Sequence, residues 1–219
     1  MVTSTELLDI IRSERLMPII RSDDGAKALA IGRTLIDAGY GVLEVSLTTP
    51  DAPRVIAELR AHRPAEARAT ETGAAEVGAG TVLTADDVAI ARDAGATFIV
   101  TPAVAPSIRV AASMGLPVLA GALTPTEILA ALAEGATAVK LFPAELGGPA
   151  YFSALRAPLP QVPLIPVGGV GLETGRDFLD RGAIALGVGS PLTGAASDDL
   201  DLSALTERAA AFRRMARAA

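Results

Sequence analysis

The sequence contains no cysteine, no tryptophan and a single histidine, His62, in 219 residues. Without cysteine there can be no disulfide, no thiolate metal site and no catalytic thiol, which is compatible with a reducing cytoplasm, our expected location. His62 stands in a polar stretch, and we interpret it as a solvated surface residue. A metal site built on imidazole is therefore disfavoured and we expect none, although carboxylates alone could still bind Mg²⁺.

Positive charge and aromatic rings are also scarce. The net charge is −6, the isoelectric point is near 4.9 and aromatic residues make up 3%. A nucleic-acid-binding domain usually carries a basic face, so we expect no nucleic acid partner. The longest uncharged run, 110–126, is interrupted by two glycines and two prolines, so we predict no membrane partner either. Residues 1–16 mix charges in an amphipathic pattern that predicts a short helix, with no apolar core of a signal peptide.

A repeating unit organises most of the chain: a helical pattern ends in glycine, and a short apolar run follows at once. Gly95, Gly115 and Gly135 recur at intervals of twenty residues. Glycine accepts the left-handed conformation that ends a helix. The nearly continuous apolar runs are typical of parallel strands covered on both faces, so we predict an α/β fold.

Eight runs are strand candidates: 16–20, 41–46, 75–80, 97–101, 117–121, 137–142, 162–167 and 183–189. Eight strands in a chain of this length favour a single-domain (β/α)8 TIM barrel over residues 1–219, with a short N-terminal helix. An open doubly wound sheet is the alternative. The polar segment 60–74 is predicted to be a surface excursion.

A lysine interrupts the apolar run ATAVKLFPAEL at 136–146. Side chains alternate along a strand, so Ala138, Lys140 and Phe142 share one face. The chain has only Lys27 and Lys140, which suggests that this position requires a primary amine. Burial favours the neutral amine, the form that attacks a carbonyl to make a Schiff base. The alternative is a strand-end lysine that reaches solvent.

A glutamate is equally unusual in GVLEVS at 41–46, where Val42, Glu44 and Ser46 share a face. We expect Glu44 and Lys140 to point into the same barrel, and we favour a catalytic role for this pair of opposite charges. A purely structural ion pair is the alternative, although burial of charges makes such pairs weak sources of stability.

Chemistry in such barrels lies at the carboxyl ends of the strands. The last two strands end in the glycine-rich sequences PVGGVGLETG and LGVGSPLTG, which could bind an anion at helix N-termini or could simply form tight turns. The residues expected at this end of the barrel are Arg21, Glu44, Gly80, Thr81, Pro102, Lys140, Gly168, Gly169, Gly189 and Ser190.

Several motifs together closely resemble the bacterial 2-keto-3-deoxy-6-phosphogluconate (KDPG) aldolases. They are LEVSLTTPDA (43–52), GAGTVL (78–83), VTP (100–102), TPTE (124–127), KLFPAE (140–145), GGP (147–149), VGGV (167–170) and GVGS (187–190). This resemblance covers nearly the whole chain in order. The family also includes 4-hydroxy-2-oxoglutarate and 2-keto-3-deoxy-6-phosphogalactonate aldolase activities.

The resemblance implies a class I aldolase that acts on a phosphorylated 2-keto acid without a dissociable cofactor, typically as a homotrimer. Lys140 would form the Schiff base, and Glu44 would be the acid/base that works through a water. The implied substrate contacts are Thr81, Pro102 and Phe142 at the pyruvate moiety, and Gly168, Gly169, Gly189 and Ser190 around the phosphate.

The chain departs from some members of the family at two positions. Thr48 stands where they carry an arginine, so we expect Arg21 to bind the substrate carboxylate. Val167 resembles the galactonate branch, whereas a threonine there is characteristic of gluconate-type enzymes, so we predict relaxed selectivity at C4. A phosphate-binding transferase of the thiamine-phosphate-synthase type, or a binding-only barrel, remains open because the fold alone does not decide function.

Overall fold

Helices and strands alternate in the computed structural model, which describes residues 2–64, 74–196 and 199–219. Its strands are β1 (Leu16–Ile20), β2 (Val42–Ser46), β3 (Glu76–Gly80), β4 (Ile99–Val100), β5 (Val118–Ala122), β6 (Ala138–Leu141), β7 (Leu164–Pro166) and β8 (Leu186–Val188). Its helices are α1 (Ser4–Glu14), α2 (Gly25–Asp37), α3 (Ala52–Ala61), α4 (Ala85–Asp93), α5 (Ser107–Ser113), α6 (Pro125–Ala133), α7 (Gly148–Arg156), α8 (Leu172–Asp180), α9 (Ser190–Thr193) and α10 (Leu202–Ala218).

The strands form one parallel sheet in the order β7-β6-β5-β4-β3-β2-β1-β8. A parallel bridge between Val167 and Gly187 joins β7 to β8 and brings the two ends of the sheet together. The predicted barrel is thus confirmed, and the open doubly wound sheet is wrong. All eight predicted strands are present, with β4, β7 and β8 shorter than their apolar runs. Most of the predicted excursion 60–74 lies outside the described residues.

Glycines end the helices as the repeat predicted. In five helices the residue after the C-cap is a glycine with positive φ: Gly39 (88°), Gly95 (84°), Gly115 (75°), Gly135 (100°) and Gly182 (91°). At a positive φ a side chain would be strained, so glycine lets the chain leave the helix and enter the next strand within a few residues.

Capping boxes begin three of the helices. Their N-cap and N3 pairs are Thr3 with Glu6, Thr84 with Asp87, and Thr124 with Glu127. Each pair satisfies backbone N–H groups that the first turn of a helix leaves unbonded. The caps of α4 and α6 therefore determine where the chain turns from the carboxyl end of a strand into a helix.

The core has two parts because strand side chains alternate. One part lies between the sheet and the helices and contains the outward-facing strand side chains, such as Leu43 and Val45. The interior cluster contains Met17, Ile19, Val42, Phe98, Val100, Leu119, Ala138, Ile165, Val167 and Ala185, together with Leu7 and Ile11 of α1. The N-terminal helix, predicted from its charge pattern, thus belongs to the same cluster as the barrel interior. Among the described helices, none is long and apolar enough to cross a bilayer.

Candidate active site

Lys140 of β6 and Glu44 of β2 meet inside the barrel. Lys140 Nζ lies 3.8 Å from Glu44 Oε1, and the two residues are only 6% and 1% exposed. A lysine buried to this degree does not fit the alternative in which the amine reaches solvent. The structure therefore places a primary amine and a carboxylate side by side, both largely buried.

The Glu44 carboxylate is incompletely bonded. Its Oε2 atom is buried and has no hydrogen-bond partner in the protein, and the 3.8 Å to Lys140 exceeds the length of a hydrogen bond. A buried unsatisfied oxygen normally costs free energy, so this pair is poorly suited to a purely structural role. It retains the capacity to accept a proton or a hydrogen bond from a bound molecule.

Phe142 lies directly beyond Lys140 at the end of β6. The lysine Nζ is 5.2 Å from the centre of the Phe142 ring, a distance at which the ring face attracts an ammonium group. Gly168 packs against this segment: a β-carbon at Gly168 would be 3.3 Å from atoms of both Phe142 and Pro143. The ends of β6 and β7 are therefore in close contact beside the lysine.

A cavity of about 360 Å³ opens next to Lys140 at the carboxyl ends of β1, β6, β7 and β8. Its walls bring together seven of the residues expected from the sequence: Arg21, Lys140, Val167, Gly168, Gly169, Gly189 and Ser190. Gly168 and Gly169 both have positive φ, 94° and 67°, so the turn after β7 requires glycine twice. Ser190, the first residue of α9, lines the same cavity and carries a hydroxyl group.

Thr81 and Pro102 lie on other strands of the barrel and are not among the described residues that line this cavity. Thr81 follows β3 and has a φ of 63°, which is unusual for a β-branched residue. Its hydroxyl is 2.9 Å from Ser46 Oγ, which in turn is 2.8 Å from Thr48 Oγ1. Three hydroxyl groups thus form a chain along the ends of β2 and β3, and two of them, on Ser46 and Thr48, follow closely after Glu44 in the sequence.

Arg21 is exposed at the end of β1, next to β8 in the sheet. It lines the same cavity as the glycine-rich turns after β7 and β8. Its guanidinium therefore belongs to the wall that the sequence associates with a phosphate, and its role toward the substrate carboxylate stays a prediction.

His62 differs from the expectation of a solvated residue. Its side chain is only 20% exposed, and Nε2 lies 2.8 Å from Asp37 Oδ1. It sits at the end of α3, so its carboxylate partner explains the residue without a ligand. In the part of the chain that the structure describes, no group of three or more His, Cys, Asp or Glu side chains is arranged to hold a metal ion.

Three interior glycines contribute to the site in a way that we did not predict. A β-carbon at Gly78 would overlap the Phe98 ring, one at Gly80 would overlap Glu44, and one at Gly121 would overlap the backbone of Pro102. Alternate glycines in a strand pattern mark places where another group approaches closely. That signal is present in EVGAG, but it does not reveal which group approaches.

Comparisons with known proteins agree with this geometry. The family model described as "Aldolase: KDPG and KHG aldolase" matches residues 7–206. The chain is 35% identical over 179 residues to the 2-dehydro-3-deoxy-phosphogluconate aldolase of Haemophilus influenzae, covering 81% of this chain and 80% of that one. It is 37% identical over 179 residues to the 2-dehydro-3-deoxy-6-phosphogalactonate aldolase of Escherichia coli, covering 81% and 83%. A solved structure titled "Native KDPGal structure" superposes with a TM-score of 0.80 at 34% identity, over 93% of this chain and 94% of that one.

Proposed function

The chain belongs to the KDPG and KHG aldolase family, and on that premise we propose that it is a class I aldolase that cleaves 2-keto-3-deoxy-6-phosphogluconate to pyruvate and glyceraldehyde 3-phosphate. It is a carbon–carbon lyase. The observation that carries this assignment is the buried pair of Lys140 and Glu44, 3.8 Å apart, beside a cavity walled by two glycine-rich turns.

The reaction begins at the amine of Lys140. The neutral amine adds to the C2 carbonyl of the substrate, water leaves, and the resulting iminium can accept an electron pair. Glu44 removes the proton from the C4 hydroxyl, the C3–C4 bond breaks, and its electron pair forms an enamine while glyceraldehyde 3-phosphate departs. The enamine then takes a proton at C3, and hydrolysis releases pyruvate and restores Lys140.

The position of Glu44 supports its assignment as the group that transfers the proton. The free acceptor capacity of Oε2 is available to a substrate hydroxyl, and the carboxylate is near enough to Lys140 to stabilise the positive iminium. Phe142 lies against the lysine, where its ring would cover the pyruvate moiety. Thr81 and Pro102 would complete the pyruvate site at the ends of β3 and β4.

The cavity walls contain hydrogen-bond donors and a positive charge for the phosphate and the carboxylate of the substrate. Gly168 and Gly169, with Gly189 and Ser190, would surround the phosphate, with backbone groups and a hydroxyl as donors. Arg21 shares that wall, and we assign it to the substrate carboxylate because Thr48 supplies no charge in the loop after β2. No dissociable cofactor takes part in this mechanism.

Val167 is the residue to which we assign selectivity at C4. It is 4% exposed, lines the cavity and precedes the Gly168 turn. Its apolar side chain cannot bond a substrate hydroxyl, and an apolar contact rejects an epimer only weakly. The galactonate-derived epimer, and 4-hydroxy-2-oxoglutarate, are therefore the alternative substrates of the same site.

We assign the enzyme to the cytoplasm and to a homotrimer. The assembly is supported by exposed apolar side chains on neighbouring segments around α4 and α5, namely Leu83, Ile90, Val104 and Met114. Light scattering coupled to gel filtration measures the assembly directly. A mass equal to one or two copies of the chain would overturn the trimer and leave the catalytic assignment untouched.

Borohydride trapping tests the chemistry. The enzyme is incubated with pyruvate and sodium borohydride, and the intact mass and peptide map are recorded. We expect one reduced pyruvate per chain, on the peptide that carries Lys140. An active enzyme without an adduct, or with the adduct on Lys27, would overturn the Schiff-base mechanism. A transferase or a binding-only barrel would also give no adduct.

A further inference from the structure

The inner face of β3 presents two glycines, Gly78 and Gly80. We propose that Gly80 is a positioning residue for the Glu44 carboxylate: its missing side chain is what allows the carboxylate to lie across β3 beside Lys140. This proposal rests on the proposed aldolase function, because it concerns the group assigned there to proton transfer.

The direction in which Glu44 leans is the first observation. In the sheet, Glu44 pairs with Gly78, and Ser46 pairs with Gly80. The Glu44 carboxylate nevertheless lies against Gly80, which is two residues beyond Gly78 and nearer the carboxyl end of the barrel. A β-carbon at Gly80 would overlap Glu44 Oε1 and would lie 2.6 Å from Cδ and 2.8 Å from Cγ. Carbon atoms normally approach no closer than about 3.5 Å, so the whole carboxyl group occupies the space of an absent methyl.

Backbone conformation does not explain the glycine. Gly80 is absent from the described glycines with positive φ, so its backbone suits any residue. The next residue, Thr81, has the positive φ of 63° at which glycine is usually preferred. The chain thus has glycine where the backbone does not need it and a β-branched residue where the backbone would favour glycine. The requirement at position 80 is for space.

The atom that Gly80 accommodates is the one nearest the reactive amine. Glu44 Oε1 is both the atom that an added methyl would overlap and the atom 3.8 Å from Lys140 Nζ. Glu44 is 1% exposed and Gly80 lies in the buried part of β3, so a displaced carboxylate has little room in the packed interior. Any movement away from the methyl must change its distance to the substrate.

Gly80→Ala should therefore impair proton transfer, as Glu44→Gln does, while Schiff-base formation persists. We expect kcat for cleavage to fall at least about tenfold, toward the level of Glu44→Gln, while the yield of borohydride-trapped pyruvate stays close to that of the wild type. In Gly80→Ala/Glu44→Gln, kcat should be no lower than in Glu44→Gln alone, because both changes disable the same group.

The matched control is Gly41→Ala, at the amino end of β2. The atom nearest to a β-carbon there would be Glu14 Oε1, at 3.0 Å, and that atom ends a flexible side chain. Turnover and adduct yield of this variant should both match the wild type. A similar loss in Gly41→Ala would mean that any strand glycine matters and would overturn a specific role for Gly80.

The outcomes separate this inference from the proposed function. A wild type that forms no pyruvate adduct overturns the aldolase assignment itself. A wild type that forms the adduct, with wild-type kcat in Gly80→Ala or with multiplicative losses in the double variant, overturns the positioning role alone. Equal loss of adduct and turnover in Gly80→Ala also overturns it, since the glycine would then support the pocket as a whole.

A second measurement covers the case in which Gly80→Ala does not fold. If the methyl clashes with the carboxyl group, removing that group should relieve the clash, so Gly80→Ala/Glu44→Ala should recover a cooperative unfolding transition near that of Glu44→Ala. A double variant that unfolds as readily as Gly80→Ala would show that the added methyl disturbs some other contact.

Discussion

Lys140 Nζ and Glu44 Oε1 face each other across the barrel at 3.8 Å, close enough for charge attraction and too far for a hydrogen bond. The lysine is therefore not tied to the carboxylate, and each group can engage a bound substrate separately. Their partial pairing also means that neither charge can be removed without affecting the other.

Lys140→Met should abolish cleavage and adduct formation while circular dichroism still reports the native helix content. It leaves Glu44 as an unpaired buried carboxylate, which is costly. In urea unfolding, the free energy of unfolding of Lys140→Met/Glu44→Gln should therefore exceed that of the single variant by about 1–3 kcal/mol. Lys27→Arg is the matched control and should still form the adduct.

Glu44→Gln should lose about 10²- to 10⁴-fold in kcat, the usual contribution of a general acid–base group. The amide keeps the shape of the carboxylate but cannot accept the proton, so imine formation should largely persist. Stopped-flow cleavage and borohydride trapping measure the two properties. Near-normal turnover would reduce Glu44 to a structural partner of Lys140.

Val167→Thr should shift the ratio of kcat/KM toward the gluconate-derived substrate. The substitution adds a hydroxyl with little change of shape, at a site where Val167 packs so tightly that a β-carbon at Gly187 would lie 2.5 Å from its Cγ2. The shift should correspond to one hydrogen bond, about 0.5–1.5 kcal/mol. Steady-state cleavage of both phosphorylated epimers is the measurement. An unchanged ratio, or a strong gluconate preference in the wild type, would show that Val167 only packs.

Exhaustive chelation should leave the wild type active. In the mechanism that we propose, the iminium on Lys140 supplies the electron sink that a metal ion would otherwise provide. Cleavage is assayed after dialysis against EDTA, with and without added Mg²⁺ or Mn²⁺. Activity that disappears and returns with the metal would indicate a metal-dependent aldolase.

The capping box of α6 should contribute stability that depends on pH. Glu127 Oε2 accepts hydrogen bonds from the backbone N–H groups of Thr124 and Leu123, both at 2.8 Å, and these bonds lower the pKa of its carboxyl group. Because the folded pKa lies below the unfolded one, the stabilisation is complete above the ordinary value of 4.5 and is lost as pH falls through the folded pKa.

Glu127→Gln tests this contribution by urea unfolding at several pH values. The wild type should be the more stable at pH 7, by no more than about 1 kcal/mol because the group is exposed. The difference should shrink as the pH falls below 4.5. A stability difference that stays constant across this pH range would show that the contribution of the cap does not depend on the charge of Glu127.

The barrel and its eight strands were predictable from the sequence because they depend on local signals. Glycine after each helical pattern and continuous apolar runs predicted where helices end and strands begin, and Gly95, Gly115 and Gly135 adopt the conformation expected of them. The lysine and the glutamate were recognised because each interrupts an apolar strand.

Contacts between residues on different strands of the barrel could not be predicted from such local patterns. Nothing in the local pattern states that Glu44 leans over Gly80, that Arg21 shares a wall with Gly168 and Gly169, or that the pair of catalytic candidates stops short of a hydrogen bond. Likewise, the sequence predicted a solvated His62, and only the fold brings its ring next to Asp37.

The sequence by itself determined the fold, the lysine and glutamate that are the catalytic candidates, and the turns that border the cavity, because helix ends, alternation and residue chemistry are properties of neighbours along the chain. Only the tertiary structure decided the 3.8 Å between Lys140 and Glu44 and the space that Gly80 leaves for the carboxylate. Those distances join residues on different strands, and they follow from how the closed sheet brings its interior faces together.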